Sequence, residues 1–300
     1  MVIDMADIKR FSSLQDALRD LFGAGVKASN RILGGDINDA YELILTTGER
    51  VFMKSNMKSD SSFFTAEAEG LAAIAQTGMI GTPRVLGCGG DSGRTFLLLE
   101  FIEGKSRISD YWETFGRQLA KMHMAQTKKY VTGGAYGFNR DNYIGYSKQI
   151  NTPHSDWIGF FRDCRLDVQF RMAEKYFDAA ECKRINSLLD RLDNLLIEPE
   201  HPSLLHGDLW SGNFMTGADG KAWLIDPAVY VGHAEVDIAM TELFGGFSEK
   251  FYSAYREVAL MQPGYEDRRD LYNLYQLLNH LNMFGGSYLS SVRRIMGRYV

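Results

Sequence analysis

The chain has 300 residues, of which 45% are hydrophobic and 24% charged, and its formal net charge is −5. These values are typical of a globular protein and exclude a disordered or fibrous chain, and the length predicts one large domain or two lobes. Because 33 basic residues stand against 38 acidic ones without any run of like charge, neither nucleic acid nor an anionic membrane surface is expected as the main partner.

The cysteine content favours a reducing compartment. Cys88, Cys164 and Cys182 are an odd number and show no C-x-x-C spacing, which a reduced protein explains more simply than a disulfide framework or a zinc site. The first residues, MVIDMADIKRF, contain no apolar signal core, and no window of the chain approaches eighteen apolar residues. We therefore predict a soluble cytoplasmic protein.

The first hundred residues are rich in predicted β-structure. An amphipathic helix is predicted over 12–23, with Ser12 or Ser13 as its cap and Gly23 as its stop. Short β-rich runs separated by Gly-rich turns then predict a three-strand meander at 31–33, 40–46 and 50–55. Helical spacing returns in residues 62–77, and the following segment, TPRVLGCGGDSGRTFLLLEFIEG, predicts a further hairpin ending near Glu100.

Helical patterns dominate after residue 105, in the segments 109–127, 155–177, 181–197 and from 235 to the end. A β-rich first third followed by a helical remainder predicts an α+β protein with a two-lobed, protein-kinase-like fold. The predicted boundary separates a small β-rich N-lobe, residues 1–101, from a larger, mainly helical C-lobe, residues 102–300. The stretch 131–153, rich in Gly, Asn and Tyr, is too long for a simple connection and is predicted to be functional.

A polar segment lies between two apolar runs at LLHGDLWSGNF, residues 204–214. The Asp of the later segment LIDPA lies thirteen positions after the Asn of this one. In kinases, a catalytic-loop Asp accepts the proton of the substrate hydroxyl, while an Asn five residues later and an Asp after a further strand hold magnesium. Asp208, Asn213 and Asp226 have this arrangement. Each could be a turn residue by itself, but together they predict a base and two oxygen ligands of Mg²⁺.

Residues near this loop have less specific signals. His206 is predicted to hold the loop in shape rather than to act as the base. Asp237, in AEVDIAM, either anchors the catalytic loop or is an ordinary acid at a helix start. In YNLYQLLNHLNMF, an amphipathic stretch expected in the core, His280 and Asn282 either form hydrogen bonds within the C-lobe or face the acceptor cleft.

Candidate phosphate-binding residues lie in the N-terminal third. A predicted loop between two strands, where backbone N–H groups could approach phosphate oxygens, contains Gly34, Gly35, Asp36, Ile37 and Asn38. Lys54 ends the predicted strand VFMK, at the position of the phosphate-binding lysine of kinases. Glu67, thirteen residues later on a predicted helix, is the expected ion-pair partner of Lys54. Glu69 is the alternative, but Glu67 shares a helical face with apolar side chains and should point inward.

The sequence HGDLWSGN together with LIDPA resembles the fructosamine kinase (ketosamine-3-kinase) family, a branch of the aminoglycoside-phosphotransferase-like kinases. The resemblance continues through NYIG, QINTPHSDWIGFFRDCRLDVQ, VGHAEVDIAMTELFGGF and LYNLYQLLNHLNMFGGSY. The segments GGDINDAY and FFTAEAEGL match the nucleotide loop and the helix with the ion-pair Glu. The similarity extends roughly from residue 25 to residue 290.

This resemblance implies ATP-dependent phosphoryl transfer to the C3 hydroxyl of a ketoamine sugar, carried on a small amine or on a lysine of a glycated protein. The product is unstable and sheds its sugar, so the implied role is deglycation. ATP and Mg²⁺ are the implied cofactors. The protein is expected to be a monomer or a homodimer.

The resemblance also implies roles for single residues. Asp208 would be the base, and Asn213 and Asp226 would hold the magnesium ion. Trp210, next to the base, would be a platform for the sugar, with a buried packing role as the alternative. The adenine would meet backbone groups of Glu100, Phe101 and Ile102.

Three departures from the family pattern limit these implications. Asp36 stands where some members have a cysteine that permits redox control, so no such switch is predicted. Pro153 replaces an aromatic residue that is common in the family, which leaves the acceptor end of the site open. Pro227 follows the metal-binding Asp in place of Phe-Gly, so activation-loop regulation is not expected.

Two alternatives remain. Loops of the Gly-Asp-x-x-x-x-Asn kind occur in many small-molecule kinases, so the acceptor could be an aminoglycoside, choline, homoserine or a free sugar. The other alternative is a non-catalytic nucleotide-binding regulator with a degenerate kinase fold. Against it stands the complete set of Lys54, Glu67, Asp208, Asn213 and Asp226.

Overall fold

The computed structural model describes residues 7–32, 38–57, 61–91, 93–259 and 261–300. In this part of the chain, one β-sheet dominates the N-terminal third and helices dominate the remainder. The predicted α+β class with two lobes is therefore confirmed. The exact boundary at residues 101 and 102 stays a prediction, while the last strand of the sheet ends at Glu100.

The sheet of the N-lobe has six strands in the order β1-β5-β6-β4-β3-β2. The strands are β1 Arg10–Phe11, β2 Val26–Ile32, β3 Asp39–Leu45, β4 Arg50–Asn56, β5 Val85–Asp91 and β6 Arg94–Glu100. Only the β1–β5 pair is parallel. The predicted meander and hairpin are confirmed, but β2 begins five residues before the predicted start at 31. This edge strand is mostly polar and mostly exposed, so it lacks the apolar alternation that identifies a strand.

Two helices cover the opposite faces of this sheet, α1 (Leu14–Phe22) and α2 (Ser61–Ala75). Side chains of α1 pack with Leu98 of β6, whereas side chains of α2 pack with Leu97 and Leu99. Successive residues of a strand point to opposite faces, so the centre of β6, residues 96–99, is continuously apolar because both faces are covered. The cap of α1 is Ser13, whose hydroxyl accepts the N–H of Asp16 at 3.0 Å.

The C-lobe contains α3 Tyr111–His123, α4 Trp157–Phe161, α5 Asp167–Met172, α6 Ala179–Asp190, α7 Glu235–Leu243, α8 Glu249–Arg256, α9 Tyr265–Phe284 and α10 Leu289–Tyr299. The predicted helical pattern over 155–177 is confirmed, but it is not one regular α-helix, because α4 leads through a π-helical segment at Arg162–Leu166 into α5. That segment contains the completely buried Arg165, and π-bulges within helices are frequent at functional sites. Among the described residues, the helical pattern after 235 divides into the four α-helices α7 to α10 and a 3-10 helix at Gly286–Tyr288.

Short strand pairs position the loops of the C-lobe. They are formed by β7 Asn142–Ile144, β8 Ser147–Gln149, β9 Ser203–Leu205, β10 Phe214–Thr216, β11 Ala222–Leu224 and β12 Tyr230–Gly232. β7 pairs with β8, β9 with β12 and β10 with β11, all antiparallel. The predicted long loop 131–153 thus contains a hairpin. β9 ends just before the HGDLWSGN segment and β11 just before Asp226, so these strands bring the two polar segments together.

The core of the C-lobe is built largely from aromatic side chains. Trp157, Phe115, Phe160, Phe251 and Tyr272 are completely buried and belong to one hydrophobic cluster. Among the described residues, no helix combines the length and the apolar character that crossing a bilayer would require.

Candidate active site

Two buried side chains hold the loop between β9 and β10. Asp237, in the first turn of α7, accepts the backbone N–H groups of His206 at 2.7 Å and Gly207 at 2.9 Å. Nε2 of His123, at the end of α3, lies 3.1 Å from the same carboxylate. Of the two interpretations of Asp237, the contacts favour the loop anchor, because both carboxylate oxygens bind groups of the loop.

His206 connects this loop to the segment that contains the second acid. Its Nδ1 accepts the backbone N–H of Asp208 at 3.3 Å, so Nε2 carries the proton and donates to the carbonyl oxygen of Ile225 at 2.9 Å. Burial lowers the pKa of His206, which keeps the ring neutral. Both ring nitrogens are thus engaged by backbone groups, which matches the predicted structural role.

Asp208 lies half-buried on the wall of the cavity between the lobes. One carboxylate oxygen accepts Nδ2 of Asn213 at 3.0 Å, and the same amide donates to the Asp208 carbonyl oxygen at 2.8 Å. Burial raises the pKa of Asp208 to about 7, against the hydrogen bond from Asn213 and with a contribution from the charge of Asp226. The carboxyl group is therefore a stronger base than an exposed aspartate.

Lys54 forms two short ion pairs across the cavity. Its Nζ lies 2.5 Å from Oε1 of Glu67 and 2.5 Å from Oδ1 of Asp226. Burial disfavours its charge, but the two carboxylates outweigh that effect and raise the pKa of Lys54 above its ordinary value. Glu69 lies elsewhere, with an oxygen 3.0 Å from Arg140. The structure therefore pairs Lys54 with Glu67 and not with Glu69.

Asp226 adopts a strained backbone conformation. It is the single non-glycine residue with a positive φ in the described ranges, at 55°, a region that costs roughly 1–2 kcal/mol for an L-residue. Backbone hydrogen bonds fix both sides of it: Ile225 donates to Asn213 at 3.0 Å, and Ala228 donates to His206 at 2.9 Å. Strain that neighbouring contacts maintain is typical of functional positions.

The oxygen atoms near this strained turn form a donor set for a hard cation. Asp208, Asn213 and Asp226 line the same cavity. The amide nitrogen of Asn213 faces Asp208, which leaves the amide oxygen for an ion. The described residues contain no group of three or more His, Cys, Asp and Glu side chains arranged to hold a metal. The carboxylate of Asp226 and the amide oxygen of Asn213 are hard oxygen ligands on the cavity wall, and such ligands suit Mg²⁺, which takes few protein ligands and completes its shell with water and phosphates.

The cavity has a volume of about 910 Å³ and is lined by both lobes. Of the predicted nucleotide-binding residues, its wall includes Asn38, Glu100, Phe101 and Ile102, and its apolar lining includes Ile32, Ala40, Leu99, Met215 and Ile225. The Glu100 side chain accepts the backbone N–H of Arg84 at 2.7 Å. This segment can therefore contact an adenine ring through its backbone groups. The remaining predicted loop residues lie outside the described ranges; they are Gly34, Gly35, Asp36 and Ile37.

The cavity wall near the catalytic loop includes aromatic side chains. Trp210 is 39% exposed and packs edge-to-face with Phe244 at 6.4 Å between ring centroids. Its ring lies over Gly212, where an added Cβ would come within 2.4 Å of the indole. Trp210 is thus held beside the loop but presents a face to the cavity, which does not agree with the alternative of a buried packing residue.

Sequence reasoning missed three amides that support the site from behind. Nε2 of Gln276 donates to the carbonyl oxygen of Gly207 at 3.0 Å. Nε2 of Gln149 donates to Ala228 at 3.0 Å, and Nδ2 of Asn142 donates to Val229 at 2.7 Å. The available signal was a polar amide inside an apolar stretch, which becomes informative only when its backbone partner is known.

The sequence left two roles open for His280 and for Asn282. The structure shows that Asn282 donates a hydrogen bond to Gln169 within the C-lobe and that His280 lines the cavity.

Comparisons with known proteins show which family this chain resembles. The fructosamine kinase family model matches residues 11–300. A probable ketoamine kinase of Synechocystis sp. is 38% identical over 275 residues, which cover 90% of each chain. The chloroplastic protein-ribulosamine 3-kinase of Arabidopsis thaliana is 40% identical over 274 residues, covering 89% of this chain and 81% of the relative.

A crystal structure from Haemophilus somnus, provisionally named a fructosamine-3-kinase, has a TM-score of 0.85 and 30% sequence identity and covers 96% of this chain and 97% of its own. The family match includes both lobes and the loop that carries Asp208. The activity is therefore that of an ATP-dependent phosphotransferase acting on hydroxyl groups. With both the sequence and the three-dimensional similarity extending over nearly its whole length, this chain belongs to the fructosamine kinase family.

Proposed function

We propose that the enzyme phosphorylates the C3 hydroxyl of ketoamine sugars of the fructosamine or ribulosamine type, on small amines or on protein lysines. The names of its relatives, ketoamine kinase and protein-ribulosamine 3-kinase, support this acceptor class. The observation that carries the proposal is that Asp208, the Lys54–Asp226 pair and the exposed face of Trp210 line one cavity. Loss of the sugar from the unstable product would make the reaction a deglycation. We place it in the cytoplasm.

Asp208 is proposed as the group that orients the sugar hydroxyl and accepts its proton. Its carboxylate is fixed by Asn213 and lies on the cavity wall beside Trp210. A pKa near 7 is matched to proton transfer at neutral pH. Such general-base assistance contributes about 10²–10⁴-fold to the rate, and the remaining acceleration comes from positioning and charge stabilisation.

Lys54 is proposed to bind the phosphates of the nucleotide. Glu67 keeps the ammonium group in place from the helix α2, and the pKa of Lys54 stays high, so the positive charge is permanent near neutral pH. Asn213 and Asp226 would hold Mg²⁺, whose charge would offset that of the phosphates. The strained turn at Asp226 aims its carboxylate toward Lys54 and the cavity.

An acceptor screen tests the proposal. Purified protein with ATP and Mg²⁺ is offered fructosyl-lysine, ribulosyl-lysine, a glycated protein, an aminoglycoside, choline, homoserine and free fructose, with Asp208→Asn as the matched control. We expect turnover with the ketoamines at least tenfold above the other acceptors, and phosphate on C3 by NMR. Preferential transfer to an aminoglycoside or choline would refute the ketoamine assignment. Turnover no higher than that of Asp208→Asn with every acceptor would favour the alternative of a non-catalytic nucleotide-binding regulator.

A further inference from the structure

Four aromatic rings form the acceptor wall of the cavity. His280 of α9 lies 5.3 Å from Phe244, 5.6 Å from Phe284 and 5.1 Å from Tyr288, measured between ring centroids. All four residues line the cavity together with Asp208. We call these four residues the acceptor wall. Phe244 and Phe284 are 43% and 45% exposed, so their rings are not buried in the core and can contact a ligand.

His280 lines the cavity and carries one hydrogen-bond acceptor. Its Nδ1 lies 2.8 Å from the carbonyl oxygen of Gln276, which can only accept, so Nδ1 carries the proton. Burial lowers the pKa of His280, which keeps the ring neutral near pH 7. Nε2 then carries a lone pair, and no group of the described residues donates a hydrogen bond to it. A ligand N–H or O–H can therefore bind there.

The helix α9 relates this acceptor to the base. Gln276 donates through its side chain to the carbonyl oxygen of Gly207, the residue before Asp208. His280 follows Gln276 by four positions, which is about one helical turn or roughly 6 Å along the axis. A short molecule with its hydroxyl at Asp208 can therefore place a second polar group near His280.

The charges of the cavity wall favour a cation as that second group. Four carboxylates are among the described residues lining the cavity, and three are engaged at the nucleotide side: Glu67, Glu100 and Asp226. The acceptor wall itself contains no ionised side chain. Aromatic faces without a carboxylate still attract an alkylammonium group through their quadrupoles, and they do so without the strong desolvation cost of a buried ion pair.

We propose that the acceptor wall binds the protonated nitrogen that joins the sugar to its carrier, with Nε2 of His280 accepting the N–H of that nitrogen. This inference rests on the proposed ketoamine activity and adds the group that distinguishes a ketoamine from a free sugar. The nitrogen is an alkylamine and carries a proton at neutral pH, as a lysine side chain does. Recognition of it would exclude sugars that lack the amine.

The test compares acceptors on the wild-type enzyme, so it does not depend on any variant folding. The acceptors are fructosyl-lysine, the same compound acylated on the linking nitrogen, and free fructose. We expect kcat/KM for the charged ketoamine to exceed that of the acylated compound at least tenfold, because acylation removes both the charge and the N–H, and a hydrogen bond involving a charged group is worth at least that factor.

Two variants at one position separate the charge from the hydrogen bond. His280→Phe keeps an aromatic ring but removes the acceptor, and His280→Gln restores an acceptor oxygen. We expect His280→Phe to raise KM for fructosyl-lysine about tenfold, with KM for ATP unchanged, and His280→Gln to recover part of that loss. His201→Phe, at a histidine that does not line the cavity, serves as the control and should leave acceptor preference unchanged.

Equal kcat/KM for the charged and the acylated ketoamine would overturn this inference while leaving ketoamine phosphorylation intact. The inference would also fail if His280→Phe lowered turnover of every acceptor by one common factor, since that indicates a structural role. Absence of transfer to any ketoamine would instead remove the proposed function, and this inference with it.

Discussion

Nζ of Lys54 lies 2.5 Å from Oδ1 of Asp226, although 172 positions separate the two residues in the chain. Lys54 belongs to β4 of the sheet, whereas Asp226 follows β11 of the C-lobe. The ion pair therefore joins the two lobes at the cavity between them. Its two members come from segments that have no local relationship, so the contact exists only because the lobes pack face to face.

Replacing Asp226 by Ala should disable this junction. The variant loses a proposed ligand of Mg²⁺ and one partner of Lys54, so we expect turnover to fall by about 10²-fold or more. Calorimetric titration with ATP should show weaker nucleotide binding in the presence of Mg²⁺, with a smaller change in its absence. Asp190→Ala, at an exposed helix end, is the matched control; an equal effect in both variants would contradict the assignment.

Asp208→Asn should separate catalysis from binding. We expect kcat to fall by about 10²–10⁴-fold, since the amide cannot accept the hydroxyl proton, while ATP affinity changes by less than about threefold. Burial disfavours the Asp208 carboxylate, so the neutral amide should leave the thermal midpoint equal or higher. Stopped assays measure kcat, calorimetric titration measures the ATP affinity, and differential scanning calorimetry measures the thermal midpoint. Near-normal turnover would show that Asp208 is not the base.

Gly207→Ala should distort the catalytic loop, and Gly23→Ala provides a control with the same backbone strain. Both glycines have positive φ, at 83° and 61°. An added Cβ at Gly207 would come within 2.1 Å of the Ala228 carbonyl oxygen, whereas at Gly23 it meets nothing within 4 Å. We expect both variants to lose about 1 kcal/mol of stability from strain. Only Gly207→Ala should lose further stability and activity; unchanged turnover would contradict the predicted clash.

Gln149→Leu should weaken the support behind Asp226. The Gln149 side chain donates to Ala228 at 3.0 Å and to Asn142 at 2.7 Å, and accepts from Tyr275 at 2.7 Å. Its loss leaves buried partners unsatisfied at about 1–3 kcal/mol each, so we expect the free energy of unfolding to fall by roughly 2–4 kcal/mol. Urea titration measures this free energy. As a control, Lys148→Ala at the exposed neighbouring residue should leave the free energy of unfolding unchanged. A neutral Gln149→Leu would disprove the supporting role.

Acid should destabilise the fold through His233. Burial, assisted by the charge of Arg268, lowers the pKa of His233 to about 3, whereas the unfolded chain protonates a histidine near pH 6.5. Between these values the unfolded state binds the additional proton. Stability is therefore complete above about pH 6.5 and falls as the pH decreases, by about 1.4 kcal/mol per pH unit for this one group.

Urea titrations at several pH values between 7 and 5 check this prediction. His233→Gln cannot take up the proton, so the dependence of its unfolding free energy on pH should decrease by about one proton. The remaining slope belongs to other groups, including His206 and His280, whose pKa values are also lowered by burial. Identical slopes for the wild type and the variant would rule out the contribution of His233.

Much of the fold and of the site was predictable from local patterns. The spacing of Asp208 and Asn213 predicted residues of one loop, and the structure places them 3.0 Å apart. The helical face shared with apolar residues favoured Glu67 over Glu69, and Lys54 contacts Glu67. Such inferences succeed because the relevant geometry is set within a few residues of the chain. The π-helical segment and the polar edge strand β2 were missed because they break those local periods.

The sequence by itself was sufficient to predict the family, the two-lobed class and the acidic residues of the candidate site. Residue types at fixed, short spacings indicate all three. Only the tertiary structure decided that Asp237 anchors the catalytic loop, that Gln276 supports the same loop, and that Gln149 supports the segment after Asp226. These contacts join segments far apart in the chain. Their partners are backbone groups, which every residue carries, so no residue type signals them before the helices and strands have packed.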